Sequence, residues 1–128
     1  MAKQVLIVED SDDIRWLLNI WLADDPRCAS VMEANGVAEA LMAAQRDEVD
    51  AVVMDFMLGD GSAADCLPQL RSAWPHARIV VYTASQRAAR DAGLLGMGAD
   101  VIVEKVSVVV EDVVDIVLCE TEAALGAA

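Results

Sequence analysis

Short runs of apolar residues alternate along this chain with longer stretches in which apolar residues recur every three or four positions. The short runs predict buried β-strands, and the longer stretches predict amphipathic helices. Strands are predicted at residues 4–8, 29–34, 51–54, 77–82 and 101–104. Helices are predicted at about residues 12–23, 36–46, 63–73, 85–95 and 108–120. Asn35 and Ser62 are suitable caps for the second and third helices.

Five strands alternating with five helices predict an α/β fold made of βαβ units. The expected architecture is a doubly wound, five-stranded parallel sheet with helices on both faces. A chain of 128 residues without an internal repeat, linker or break in composition suits one domain. We therefore expect a single domain over residues 1–121, followed by a short C-terminal tail over residues 122–128 that has few anchors.

Two helices carry apolar residues that need an explanation. The first helix has an apolar stripe that includes Leu18, Trp21 and Leu22, and we expect this stripe to face the core. The last helix has more apolar residues than one face can hold. Part of this set is expected to form an exposed patch with Ile102 and the fourth helix, although a wide buried face is the alternative.

Composition and charge narrow the classes of function. The chain is 56% hydrophobic with a mean hydropathy of +0.40, yet no apolar run approaches the length of a membrane-spanning helix. No signal peptide is recognisable, so a cytoplasmic location is expected. The formal net charge is −13 without a cluster of Lys and Arg, which argues against direct nucleic-acid binding. Cys28, Cys66 and Cys119 are widely spaced and are expected to be reduced thiols.

The candidate chemistry lies where four of the predicted strands end. Glu9 and Asp10 follow the first strand, Asp55 the third, Thr83 the fourth and Lys105 the fifth. Parallel strands all end at one edge of the sheet, and ligands of open α/β sheets bind there. Three carboxylates at one edge require positive charge, which Lys105 and a bound Mg²⁺ could supply. Asp55 could then act as a nucleophile toward a phosphoryl group.

These residues resemble those of a known family, the receiver domains of bacterial two-component response regulators. Residues 5–10 resemble the acidic-pair strand of that family, and residues 52–61 resemble its phosphoacceptor strand and loop. Residues 80–84 resemble its hydroxyl strand, and residues 98–105 resemble the last strand with its lysine. Each motif alone is weakly specific, but all four occur in the order and at the spacing of a receiver domain.

The resemblance implies a flavodoxin-like (βα)5 fold with strand order 2-1-3-4-5. It implies that Asp55 accepts a phosphoryl group from a sensor histidine kinase or a phosphotransfer protein. Glu9, Asp10, Asp55 and the backbone carbonyl of Met57 would bind Mg²⁺. Thr83 and Lys105 would contact the phosphoryl oxygens. Output would pass to a downstream protein partner, with a homodimer through the fourth helix, fifth strand and fifth helix as one possibility.

Two positions depart from the pattern that the family commonly shows. Ile102 stands where the family often has an aromatic ring that rotates on activation, and Val106 stands where it often has proline after the lysine. The first departure puts the usual output switch in doubt. Neither departure removes a group that phosphorylation requires.

Two other functions are compatible with the sequence. The first is a phosphorylation-independent binding module with a receiver fold, which the two departures favour. The second is a phosphatase that resembles the haloacid dehalogenases, with Asp10 as nucleophile and Asp12 as acid–base. The phosphatase interpretation leaves Asp55 without a role, so the leading hypothesis is a phosphoacceptor rather than an enzyme with turnover.

Overall fold

The computed structural model describes residues 2–119 and places seven strands and six α-helices there. The predicted tail over residues 122–128 and the last predicted helical residue lie outside these described residues. The strands are β1 Lys3–Val8, β2 Cys28–Ala34, β3 Ala51–Met54, β4 Met57–Leu58, β5 Gly61–Ser62, β6 Arg78–Thr83 and β7 Val101–Glu104. The α-helices are α1 Asp12–Ala23, α2 Val37–Arg46, α3 Leu67–Ala73, α4 Gln86–Asp91, α5 Leu94–Met97 and α6 Val110–Leu118.

Five strands form one parallel sheet in the order β2-β1-β3-β6-β7. Counted as the five main strands, this is the expected order 2-1-3-4-5, so the predicted doubly wound fold is confirmed. The remaining two strands, β4 and β5, form a small antiparallel hairpin directly after Asp55. A 3-10 turn at Ala63–Asp65, capped by the Ser62 hydroxyl, joins this hairpin to α3.

Alternate residues of the sheet face two separate cores, because successive side chains of a strand point to opposite faces. One core packs the sheet against α2, α3, α4 and α5, and Ile102 belongs to it. The other core packs the sheet against α1 and α6, and Tyr82 belongs to it. Ile102 and Tyr82 therefore lie on opposite faces of the same sheet.

Helix α1 does not bury the stripe that the sequence predicts. Leu18 and Leu22 are buried, but Trp21 is 41% exposed and Trp16 is 63% exposed, so the prediction of Trp21 as a core residue is wrong. The Arg15 guanidinium donates to the Glu9 carbonyl at 2.8 Å, and only 19% of this side chain is exposed. The buried side of α1 therefore includes Arg15, Leu18 and Leu22, and Trp21 lies at its margin.

Helix α6 buries the wide face that was the alternative to an exposed patch. Val113, Val114, Val117 and Leu118 are all buried, and so is Ile102. Within residues 2–119, the large apolar side chains that stay exposed near α6 are Val106 and Val109, which lie in the loop before the helix. Ile102 therefore does not belong to an exposed apolar patch as expected, and the homodimer through the fourth helix, fifth strand and fifth helix stays a prediction.

The other differences from the predicted elements are local. The predicted fourth helix is divided into α4 and α5, because Gly93 between them adopts a left-handed conformation with φ of 80°. Helix α2 begins after Gly36 rather than Asn35, and the Asp60 carboxylate accepts from its first amides, Val37 N at 2.8 Å and Ala38 N at 3.1 Å. Among the described residues, no helix is long and apolar enough to cross a membrane.

Candidate functional site

The register of the sheet brings the predicted site residues to one edge. Val8 is paired with Met54 across β1 and β3, so Glu9 and Asp55 leave their strands at the same level. The Asp55 amide donates to the Val8 carbonyl at 3.0 Å, which fixes this alignment. On the other side, the Lys105 amide donates to the Thr83 carbonyl at 2.8 Å. Four strand ends that are distant in the sequence therefore meet at one edge.

Lys105 is the centre of this site. Its ammonium donates to Glu9 Oε1 at 2.7 Å and to Asp55 Oδ2 at 2.8 Å. All three side chains are largely shielded from solvent, with 15% of Lys105, 3% of Glu9 and 14% of Asp55 exposed. Ion pairs with this little exposure are screened far less by salt than surface pairs. Lys105 therefore holds two carboxylates that would otherwise repel each other.

The protonation states of Lys105 and Glu9 follow from their environment. Burial acts to lower the pKa of Lys105, but its hydrogen bonds and charge interactions with Asp55 and Glu9 outweigh burial and raise it. Burial raises the pKa of Glu9, and its hydrogen bonds from Lys105 and the Ser11 amide offset this only in part. Lys105 is consequently an ammonium at neutral pH.

Glu9, Asp10 and Asp55 form an acidic group suited to a hard cation. Each residue offers one carboxylate oxygen, and these oxygens all lie within 4.8 Å of one another. Three carboxylates with a single ammonium leave a formal charge of −2, which favours a divalent cation with oxygen ligands. Asp10 is exposed and Glu9 is buried, so the group opens to solvent on one side. These residues fit Mg²⁺.

The loop after Asp55 adjoins this acidic group. Asp55 Oδ1 accepts from the Phe56 amide at 2.7 Å, which orients the carboxylate from its own backbone. Gly59 lies against Asp10, because a Cβ at this position would be 3.6 Å from Asp10 Oδ2. Met57 begins the β4–β5 hairpin within the same loop. The backbone carbonyl of Met57 as a metal ligand stays a prediction.

Thr83 ends β6 next to Lys105, and it is 2% exposed. Its hydroxyl oxygen accepts from the Ser85 amide at 3.3 Å, just before α4. A hydroxyl that accepts one hydrogen bond still has its own proton to donate. Thr83 is therefore placed at the predicted edge, between the site and α4, and its contact with a phosphoryl oxygen stays a prediction.

Tyr82 is a site residue that sequence reasoning missed. Lys105 Nζ lies over its ring, 5.6 Å from the centroid. The Tyr82 hydroxyl donates to the Val108 carbonyl at 3.1 Å. A signal was present in the sequence, since this residue is the chain's single tyrosine and directly precedes Thr83. Its partners, however, both lie in the segment between β7 and α6, more than 20 residues further along the chain.

Comparison with characterised proteins finds relatives among response regulators. The nitrate/nitrite response regulator NarP of Escherichia coli is 32% identical over 97 residues, which cover 76% of this chain and 45% of NarP. The transcriptional activator DevR/DosR of Mycobacterium tuberculosis is 33% identical over 101 residues, which cover 77% of this chain and 46% of that protein. The chain thus spans less than half the length of these relatives.

Solved structures of response regulators have the same fold. A response regulator from Burkholderia pseudomallei, solved with a phosphorylated aspartic acid, a calcium ion and citrate, superposes with a TM-score of 0.82 at 26% identity. That match covers 98% of this chain and 71% of the other. A LuxR-family response regulator from Aurantimonas sp. SI85-9A1 gives a TM-score of 0.79 at 25% identity, covering 99% of this chain and 87% of the other.

The family match agrees with the geometry of the site. The response regulator receiver domain matches residues 5–118, a range that includes Glu9, Asp10, Asp55, Thr83 and Lys105. This chain therefore belongs to the response regulator receiver domain family.

Proposed function

We propose that this chain is the phosphoacceptor of a two-component relay, with Asp55 as the residue that is phosphorylated in a Mg²⁺-dependent reaction. The observation that carries the proposal is the bridge of the Lys105 ammonium between Glu9 and Asp55, at 2.7 Å and 2.8 Å. A carboxylate that is shielded, oriented and paired with a movable cation is suited to nucleophilic attack on phosphorus.

The proposed step transfers one phosphoryl group. An Asp55 carboxylate oxygen attacks the phosphorus of a phosphohistidine, the new O–P bond forms, and the N–P bond breaks. The electron pair of the broken bond stays on the imidazole nitrogen of the donor. Lys105 and Thr83 then bond the oxygens of the transferred group, which stabilises charge where it develops.

Glu9, Asp10 and Asp55 would hold the metal ion, with the Met57 carbonyl as a further ligand. When bound, Mg²⁺ would offset the charges of the carboxylates and of the transferring phosphoryl oxygens. The formal charge of −2 among the described site residues supports this part of the proposal. The phosphorylated aspartic acid and calcium ion in the Burkholderia pseudomallei protein support it by analogy.

The phosphodonor is proposed to be a sensor histidine kinase or a phosphotransfer protein. Helix α1 begins two residues after Asp10, and its exposed Trp16 and Ile20 lie four residues apart on one face of the helix. An apolar surface beside the site suits a protein donor. Trp16→Ala should slow transfer from a protein donor while leaving transfer from a small acyl phosphate unchanged.

The output is proposed to be contact with a downstream protein partner. NarP and DevR/DosR are more than twice as long as the regions that match, so their whole-protein activities do not transfer to this chain. The phosphorylation-independent binding module remains the second candidate, because Ile102 is buried in the core and replaces a ring. In that case Asp55→Asn would leave partner binding unchanged.

Labelling with a small phosphodonor tests the proposed function. The protein is incubated with an acyl phosphate and Mg²⁺, and intact mass followed by peptide mapping locates the label. One phosphoryl group is expected on Asp55, with none in EDTA and none in Asp55→Asn. Asp13→Asn is the matched control, since it removes an exposed carboxylate from the first turn of α1 and should still be labelled.

The same labelling experiment distinguishes a phosphoacceptor from a phosphatase. A label on Asp10 together with turnover of phosphate esters would favour a haloacid dehalogenase-like enzyme and refute the proposed role of Asp55. Labelling that is equal in wild type and Asp55→Asn would also refute it.

A further inference from the structure

Tyr82 connects the proposed phosphorylation site to a surface loop. Tyr82 is 5% exposed and belongs to the core between the sheet, α1 and α6. The Lys105 ammonium lies over this ring, and the hydroxyl donates to the Val108 carbonyl. One side chain thus contacts both the cation of the site and the loop that leads into α6.

We propose that Tyr82 is a positioning residue, which holds the Lys105 ammonium at Asp55 and transmits movement of that lysine to the loop of residues 106–109. The inference rests on the proposed function, because it concerns a lysine that responds to phosphorylation. It assigns a role in the chemistry to the ring and a role in the output to the hydroxyl.

The role of the ring follows from the flexibility of lysine. A lysine side chain has a long rotatable stem, so its ammonium needs several contacts to stay in one place. Glu9 and Asp55 hold it from one side. The Tyr82 ring supplies a third contact, within the distance at which a cation is attracted to an aromatic face. Removing the ring would leave the ammonium less well placed for the incoming phosphoryl group.

The role of the hydroxyl follows from burial. A tyrosine hydroxyl in a core needs a hydrogen-bond partner, and here the partner is a backbone carbonyl of the loop. The loop is otherwise exposed, with 81% of Val106 and 58% of Val109 accessible to solvent. Val109 is also the N-terminal cap residue of α6. A shift of the ring would therefore move the Val108 carbonyl, which directly precedes this cap residue.

Phosphorylation would supply such a shift. When Asp55 is phosphorylated to an acyl phosphate, one of its oxygens becomes bonded to phosphorus, and Lys105 is drawn to the new phosphoryl oxygens. The ammonium then changes its position over the Tyr82 ring. This route runs on the face of α1 and α6. It does not pass through Ile102, which is packed on the opposite face.

NMR with beryllofluoride and Mg²⁺ tests the route in the full chain. The protein carries ¹³C-labelled tyrosine, whose ring signal belongs to Tyr82 because the chain has one tyrosine. On addition of beryllofluoride we expect shifts of the Phe56 and Met57 amides, of the Tyr82 ring, and of the amides of residues 108–110. Asp55→Asn should abolish all of them.

Two variants test the role of the Tyr82 ring and the role of its hydroxyl separately. Tyr82→Phe keeps the ring, so the Phe56 and Met57 amides should respond as in wild type, while the response at residues 108–110 is lost. Tyr82→Leu removes the ring, so the initial rate of labelling by a small phosphodonor should fall about two- to five-fold. The ring-current shift of the Lys105 Cε protons should persist in Tyr82→Phe and disappear in Tyr82→Leu.

The outcomes distinguish the two proposals. If the Phe56 and Met57 amides of the wild-type protein do not respond, the proposed function fails. If they respond while the Tyr82 ring and residues 108–110 stay unchanged, the inference is overturned and the proposed function stands. A full response at residues 108–110 in Tyr82→Phe overturns the output role. If Tyr82→Leu does not fold, the wild-type ring signal and the Tyr82→Phe response still test the proposed roles of Tyr82.

Discussion

Replacing Lys105 with Met should destabilise the metal-free protein. The substitution leaves the Glu9 and Asp55 carboxylates without their shared cation, in positions that are 3% and 14% exposed. Breaking a buried ion pair by removing one partner costs about 3–5 kcal/mol. Because Lys105 is itself 15% exposed, we expect the lower end of this range. A loss of about 3 kcal/mol corresponds to roughly 10 °C in Tm for a domain of this size.

Chemical and thermal unfolding in EDTA at neutral pH measure this loss. Mg²⁺ should restore much of it, since saturation at 100 times Kd stabilises a folded protein by about 2.7 kcal/mol. Adding Asp55→Asn to the Lys105→Met background should recover at least about 1 kcal/mol, because one of the unpaired charges is then gone. Lys3→Met, at the opposite edge of the sheet, is the matched control and should stay within about 0.5 kcal/mol of wild type.

Two results would refute the reasoning about Lys105. The first is a Lys105→Met protein that is as stable as wild type in EDTA. The second is a destabilisation that Asp55→Asn and Mg²⁺ leave unchanged, which would point to lost packing of the lysine stem rather than to unpaired charge.

Three further predictions concern stability. Burial raises the pKa of the Cys66 thiol from 9.0 to about 11. Folding is therefore unaffected by this thiol below pH 9, and between pH 9 and 11 the protein loses stability because the unfolded state releases the thiol proton first. Urea titrations should show a fall in the free energy of unfolding of roughly 2–3 kcal/mol over this interval. Gly98→Ala should lower stability by about 1–3 kcal/mol in thermal melts, because φ is 127° and the new Cβ would lie 2.8 Å from Arg71 Cβ. Trp74→Phe should cost about 2 kcal/mol in urea unfolding, since the Asp47 carbonyl loses the indole N–H that donates to it at 2.9 Å.

Matched variants check each of these three. Cys66→Ala should remove the part of the alkaline loss that Cys66 causes, and an unchanged pH profile would contradict the assignment. Gly96→Ala has nothing within 4 Å of the new Cβ, so it should not destabilise, and a loss equal to that of Gly98→Ala would argue against strain. Trp16→Phe, at an exposed position, should be near neutral, and a cost equal to that of Trp74→Phe would exclude the indole hydrogen bond as the cause.

The positions of the strand ends could be predicted well from the sequence. The apolar run of β3 ends at Met54, and the carboxylate that follows is the one that Lys105 contacts. Buried parallel strands are continuous apolar runs, so their ends are marked by the first polar residue. The same logic located Glu9 and Thr83. The site was therefore predictable because its residues come from the ends of elements rather than from their interiors.

The rotation of α1 was not predictable in this way. The apolar stripe of this helix is wider than the surface that contacts the sheet, and periodicity does not say which part of a wide stripe is buried. The Arg15 guanidinium lies on the buried side of α1 and donates to the Glu9 carbonyl, a contact that the periodicity of apolar residues does not indicate. The contacts of Tyr82 were hidden for the same reason, because they depend on the positions of β7 and its loop.

Gly36 and Asp60 constrain each other in any descendant of this sequence. A Cβ at position 36 would collide with the Asp60 carboxylate, which sits there because it accepts from the first amides of α2. A larger residue at position 36 would therefore push the Asp60 carboxylate away from the Val37 and Ala38 amides. The cost of that mutation is the loss of these two hydrogen bonds at the start of α2, so it depends on which residue occupies position 60.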